Sequence, residues 1–151
     1  MNQAQSDPKI EAWLERLQAN GYRITEPRRA VVEIIALSQH VLSPFDVFEH
    51  ARRNHPKLGL VTVYRTIEKL EEAGLIQRVH QPSGCQAFIA ACSGHQHMLI
   101  CQSCGRVEFF SGDSEGIENL MSEVSRLSGY QIGDHWLQLF GVCENCQAGQ
   151  L

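Results

Sequence analysis

Two CxxC pairs, Cys101/Cys104 and Cys143/Cys146, carry the most definite chemistry in this chain. Each pair offers two thiolates from one tight turn, which is half of a tetrahedral Zn²⁺ shell with Zn–S distances of about 2.3 Å. Four thiolates close that shell and leave no position for a substrate, so the expected role is one structural zinc whose binding free energy is also folding free energy. Just upstream, His95-Gln96-His97 places two imidazoles at alternate positions of an extended segment, hence on one side of it, within reach of a further thiol at Cys92. These residues read as a second, differently built metal site. Glu108 and His135 are additional candidate ligands, although His135 shares a strand face with Leu137 and Leu139 and reads equally well as a core or interface residue. Cys85, in a turn-rich stretch, reads as a bystander thiol.

The bulk composition sets the frame for these donors. The 151 residues can bury a real core, and the crowding of metal ligands into the second half favours two small domains over one. No stretch is long or apolar enough for a membrane span, and the first residues lack the profile of a signal peptide, so a cytoplasmic location is expected. Thiols stay reduced there, which favours metal binding over disulfides. The net charge of −4 is unevenly spread: residues 1–92 hold 11 Lys/Arg against 10 Asp/Glu, whereas residues 93–151 hold 2 against 7. That asymmetry is compatible with a nucleic-acid-binding head on an acidic body.

Periodicity supplies the elements that position the site. Residues 8–20 repeat Ile10, Trp13, Leu14 and Leu17 at helical spacing, and Thr25-Glu26-Pro27 predicts a capped second helix through Ser38. Ser43-Pro44-Phe45-Asp46 predicts a capping box and a third helix. A fourth, from Leu60 to Gly74, turns Val63, Ile67 and Leu70 inward and is predicted to leave Thr62, Arg65, Thr66 and Lys69 outside. Two short apolar runs around His80-Gln81-Pro82-Ser83-Gly84-Cys85 then predict a β-hairpin, completing the order of a winged helix-turn-helix. Beyond it, strands flank the first CxxC, a helix spans Ser114 to Ser128, and a long strand is predicted from Ile132 to Gly141. The expected class is α+β, with a winged-helix domain at 1–91 and a small α/β domain at 92–151. The second sheet is too small to cover both of its faces, so an apolar face is expected to meet a second copy.

The runs Tyr22 to Arg28, Thr62-Val63-Tyr64-Arg65-Thr66, Ala73-Gly74-Leu75-Ile76 and His95 to Gly105, with His135 eight residues before Cys143-Glu-Asn-Cys146, resemble the ferric uptake regulator (Fur) family over nearly the whole chain. The resemblance implies a homodimeric, metal-activated transcriptional repressor that binds AT-rich inverted repeats in promoter DNA, with residues 92–151 as its dimerisation domain. It implies DNA contacts at Tyr64 and Arg65, with Thr62, Thr66 and Lys69 beside them and Arg23 and Arg28 available for phosphates. Cys92 stands near the place where zinc uptake regulators put a sensing thiolate, and His80 where they draw a ligand from the DNA-binding domain. The implied regulatory set is therefore His80, Cys92, His95 and His97 around a second Zn²⁺, because a thiolate among imidazoles suits zinc better than Fe²⁺ or Mn²⁺.

Some features depart from that pattern. Three residues separate His97 from Cys101 where iron and peroxide sensors usually have two, and Glu108 arrives one position early. Relatives use alternate histidines of a longer run, an acidic residue and the late histidine for a further site; Gln96 and Met98 interrupt that run, so this further site is expected to be weakened or missing. An iron, manganese or peroxide sensor is the alternative within the family. Outside it, a zinc hydrolase lacks an HExxH signature, and a thiol oxidoreductase or a plain zinc ribbon leaves either the paired knuckles or the first 92 residues unexplained.

Overall fold

Helix α1 (Pro8–Ala19) starts where proline and a side-chain cap coincide: the Asp7 carboxylate accepts the Lys9 amide at 2.8 Å in the computed structural model, which describes residues 7–81, 84–112 and 114–149. Its four periodic apolar residues, Ile10, Trp13, Leu14 and Leu17, are all buried. Helix α2 (Glu26–Leu37) has Pro27 in its first turn, but Thr25 at the N-cap makes no side-chain capping bond, contrary to the sequence expectation. Helix α3 (Pro44–Asn54) opens on the full capping box: Ser43 Oγ accepts the Asp46 amide at 3.2 Å, and Asp46 Oδ2 accepts the Ser43 amide at 2.8 Å. Helix α4 (Leu60–Glu72) ends just ahead of Gly74, whose φ of 67° only glycine adopts without strain.

Strands β1 (Ile76–His80) and β2 (Gln86–Ala90) pair antiparallel, with Ile76 opposite Ala90 and His80 opposite Gln86. Pro82 and Ser83 of the expected turn lie outside the described residues. Leu42 exchanges two 3.0 Å backbone bonds with Phe88, which ties the entry to α3 onto the hairpin. The core of this unit joins Leu17, Val31, Ile35, Val47, Val63 and Leu70 from the four helices to Ile76 and Phe88 from the hairpin. The chain divides into Met1–Ala91, which holds these elements, and Cys92–Leu151.

In the second unit β3 (Gln96–Cys101) is the middle strand. It pairs antiparallel with β4 (Val107–Ser111) and parallel with β5 (Gln138–Gly141), in the order β4-β3-β5. The crossover to β5 runs through α5 (Glu115–Ser128), closed by Gly129 at φ 76°. The long strand expected from Ile132 is shorter: only Gln138–Gly141 is strand, because the ladder extends only from Met98↔Gln138 to Cys101↔Gly141. A single turn, α6 (Glu144–Gln147), follows Cys143. Among the described residues of this unit the buried apolar side chains are Met98, Ile100, Cys101 and Val107, and α5 contributes none. No helix among the described residues is long and apolar enough to cross a membrane.

Candidate metal centres and nucleic-acid face

The parallel pairing of β3 with β5 carries the two CxxC turns to the same end of the sheet. All four sulfurs, of Cys101, Cys104, Cys143 and Cys146, lie within 4.8 Å of one another. Cys101 Sγ is 3.8 Å from Cys146 Sγ, and Cys104 Sγ is 3.8 Å from Cys143 Sγ. A tetrahedron with Zn–S bonds of about 2.3 Å has edges of about 3.8 Å, so the thiols fit a zinc ion. The backbone amides of Cys143, at 3.3 Å, and of Cys104 donate toward Cys101 Sγ and hold this thiol down to about 6, while the hydrogen bond to Cys143 pushes Cys146 up to about 12. One thiolate is thus favoured before any metal arrives. Zinc must displace the remaining protons, so its affinity falls as pH falls.

A second cluster forms from the other end of the same strands. His95, His97 and His135 have ring nitrogens all within 4.8 Å, with His97 Nε2 3.0 Å from His135 Nε2. Three nitrogen donors at about 2.0–2.1 Å from one zinc lie roughly 3.3 Å apart, which this spacing approaches. His97 is buried and packs edge-on against Phe110 at 5.4 Å, whereas His95 is exposed. The further site expected to be weakened or missing is therefore the one whose histidines converge. Gln96 and Met98 do not interrupt it, because in a strand they face away from the side shared by His95 and His97.

The remaining sequence candidates are placed elsewhere. Cys92, half-buried at the start of the second unit, belongs to neither cluster, and Glu108 is paired with Arg106 at 3.2 Å. His80 ends β1 in the first unit. No sequence signal fixed His135: equal spacing ahead of Cys101 and Cys143 would set position 95 beside position 137, whereas the observed pair Cys101↔Gly141 sets it beside position 135.

On α4, Tyr64 and Arg65 are exposed and Thr62 is half-exposed. Thr66 is not on that face. Its side chain is fully buried and donates to the Thr62 carbonyl at 2.8 Å, because 3.6 residues per turn bring it within about 40° of Leu70 on the buried side. Lys69 is engaged within the fold: it pairs with Glu72 at 2.9 Å and lies over the Tyr22 ring at 5.1 Å, while the Tyr22 hydroxyl donates to the same carboxylate at 2.7 Å. Arg28 donates to the Arg23 carbonyl, and Arg23 itself is exposed.

Residues 19–140 match the model of the ferric uptake regulator family. The chain belongs to that family. It is 30% identical over 136 residues to the ferric uptake regulation protein of Neisseria meningitidis serogroup A, covering 89% of this chain and 93% of the relative. It is 27% identical over 138 residues to the peroxide operon regulator of Bacillus subtilis, covering 91% and 93%. A solved zinc-bound manganese uptake regulator superposes with a TM-score of 0.69 at 30% identity, covering 89% of this chain and 98% of that one. Members of the family are metal-responsive transcriptional regulators that bind DNA as dimers, and they are not enzymes. The hydrolase and oxidoreductase alternatives therefore fall away. The relatives' names span iron, peroxide and manganese, so family membership leaves the regulatory ion open.

Proposed function

We propose that this protein is a homodimeric repressor that binds promoter DNA at AT-rich inverted repeats when a regulatory Zn²⁺ is held by His95, His97 and His135, with a structural Zn²⁺ at Cys101, Cys104, Cys143 and Cys146. The observation that carries this reading is the convergence of three imidazoles around the buried His97. Among the described residues the clustered donors are all imidazole nitrogens, a set that favours zinc over Mn²⁺, which prefers oxygen. The donors come from β3 and from the segment ahead of β5, so the ion favours the conformer in which the two are aligned. It shifts the population only as far as its affinity for that conformer exceeds its affinity for the rest.

On the DNA side, Tyr64 and Arg65, with Thr62, are the proposed contacts of α4, and Arg23 is available for a phosphate. Arginine reads guanine or a narrow minor groove, while tyrosine and threonine reach thymine methyls or phosphate. Arg65→Ala is expected to weaken specific binding by ~1–3 kcal/mol. An unchanged titration removes α4 from the groove.

The test uses duplex DNA selected by the full-length protein from a random pool, titrated at fixed ionic strength with Zn²⁺, Fe²⁺ and Mn²⁺ in turn. The expected result is tight binding with Zn²⁺ that His97→Ala and His135→Ala abolish, while Cys92→Ser and His80→Ala leave it in place. Binding lost in Cys92→Ser, His80→Ala and His97→Ala but kept in His135→Ala restores the ligand set expected from sequence, and binding that survives removal of all labile metal defeats both.

A further inference from the structure

Gly112 stands against the second imidazole cluster with no conformational need to be glycine. Its φ lies outside the left-handed region, so its backbone accepts any L-residue. What position 112 does not accept is a side chain. A Cβ built there falls 2.7 Å from His95 Cδ2, 2.8 Å from Nε2 and 2.9 Å from Cε1, closer than a carbon can approach.

The register explains this proximity. The β3–β4 ladder runs through Gln96↔Ser111, and its next step outward sets His95 opposite Gly112, whose amide donates to the His95 carbonyl at 3.0 Å. On the other side of His95 the parallel offset brings in His135, with ring centroids 4.5 Å apart. The His95 imidazole therefore occupies the space that a side chain at 112 would fill, and from there it faces His97 and His135. The opposite member of the neighbouring pair, His97↔Phe110, is an aromatic ring that walls the cluster in.

We propose that Gly112 is a positioning residue: the missing side chain lets the His95 ring lie across the β4 backbone and aim at the ion shared with His97 and His135. This rests on the three-imidazole reading above. The clash is with the end of a rotatable side chain, so a methyl group at 112 leaves the sheet intact and swings His95 out of the cluster. Supporting residues of this kind typically change metal affinity by 10–100-fold.

The test titrates Co²⁺ into full-length protein that retains its four-thiolate zinc, following visible ligand-field absorption with a competing chelator, alongside zinc content and thermal melting. Gly112→Ala is expected to bind Co²⁺ roughly 10–100-fold more weakly than wild type, with unchanged zinc content and melting. In a His95→Ala background it should have no further effect, since the ring it displaces is gone. Wild-type Co²⁺ affinity in Gly112→Ala overturns the positioning role, as does an equal loss in both backgrounds. Should Gly112→Ala misfold, the His95→Ala double variant must recover the fold, and failure to recover it also overturns the proposal. If His135→Ala keeps wild-type Co²⁺ binding, the three-imidazole reading itself fails, which separates that failure from a failure confined to Gly112.

Discussion

Cys143→Ser is expected to strip the structural zinc and unfold residues 92–151 while α1 to α4 stay helical. The described part of this unit buries only Met98, Ile100, Cys101 and Val107 as apolar side chains. Each fully buried side chain of this size contributes about 1.5–3 kcal/mol, and a three-stranded sheet with one uncovered helix has little else to order it. Structural zinc sites of this kind supply an apparent ~10–16 kcal/mol near neutral pH, so the ion stabilises the unit more than its small apolar core does. The loss also has a direction in pH. Cys101 is held down to about 6, below the ordinary thiol range, so its preference for the folded state is present at higher pH and is lost as pH falls through about 6. Because protons compete with zinc for all four thiolates, acidification should release zinc and melt the unit together. Elemental analysis and circular dichroism at a series of pH values check this, and a Cys143→Ser protein that keeps a cooperative melt for the second unit would refute it.

Leu120→Glu with Leu127→Glu is expected to convert the dimer to a monomer and to weaken binding to an inverted-repeat duplex by ~10²–10⁴-fold, the gain that linking two half-site contacts provides. Helix α5 repeats Ile117, Leu120, Met121, Val124 and Leu127 on one stripe, yet none of them is buried; Leu120 is 58% and Leu127 69% exposed. Trp136 and Leu139 near β5 are exposed as well. Isolated exposed leucines are ordinary, but a whole amphipathic stripe left uncovered marks an association surface. Two carboxylates placed in that stripe would be buried without partners on association, which opposes it strongly. Sedimentation equilibrium reads the mass, and a variant that remains dimeric assigns the contact to another surface.

Much of this architecture was legible in the residues alone. The helices declared themselves through 3.6-residue periodicity and through local signals, of which the Ser43/Asp46 box is realised bond for bond. The two knuckles were legible because their chemistry is local to each CxxC turn. What the sequence concealed depends on pairing between distant segments. Whether His95 and His97 meet Cys92 or His135 is decided by the offset between β3 and β5, and a period of two reveals a strand's faces without naming its neighbour. Thr66 was misplaced for a different reason. A polar residue at the margin of a helix stripe reads as exposed until its own backbone is seen to satisfy the hydroxyl, as the Thr62 carbonyl does. Thr25 shows the converse, a residue of capping type at the N-cap whose side chain forms no cap.

Both donor sets draw on β3, the middle strand, with His97 and Cys101 four positions apart, or roughly 13 Å at about 3.3 Å per residue. A chain threaded one step out of alignment would turn imidazole and thiol away together. Two ions held as proposed would thus proofread the same strand, and a misthreaded molecule would be silenced at both stations at once. Metal content measured on a single preparation would report its folding fidelity, with correlated deficits in both ions as the mark of the faulty fraction.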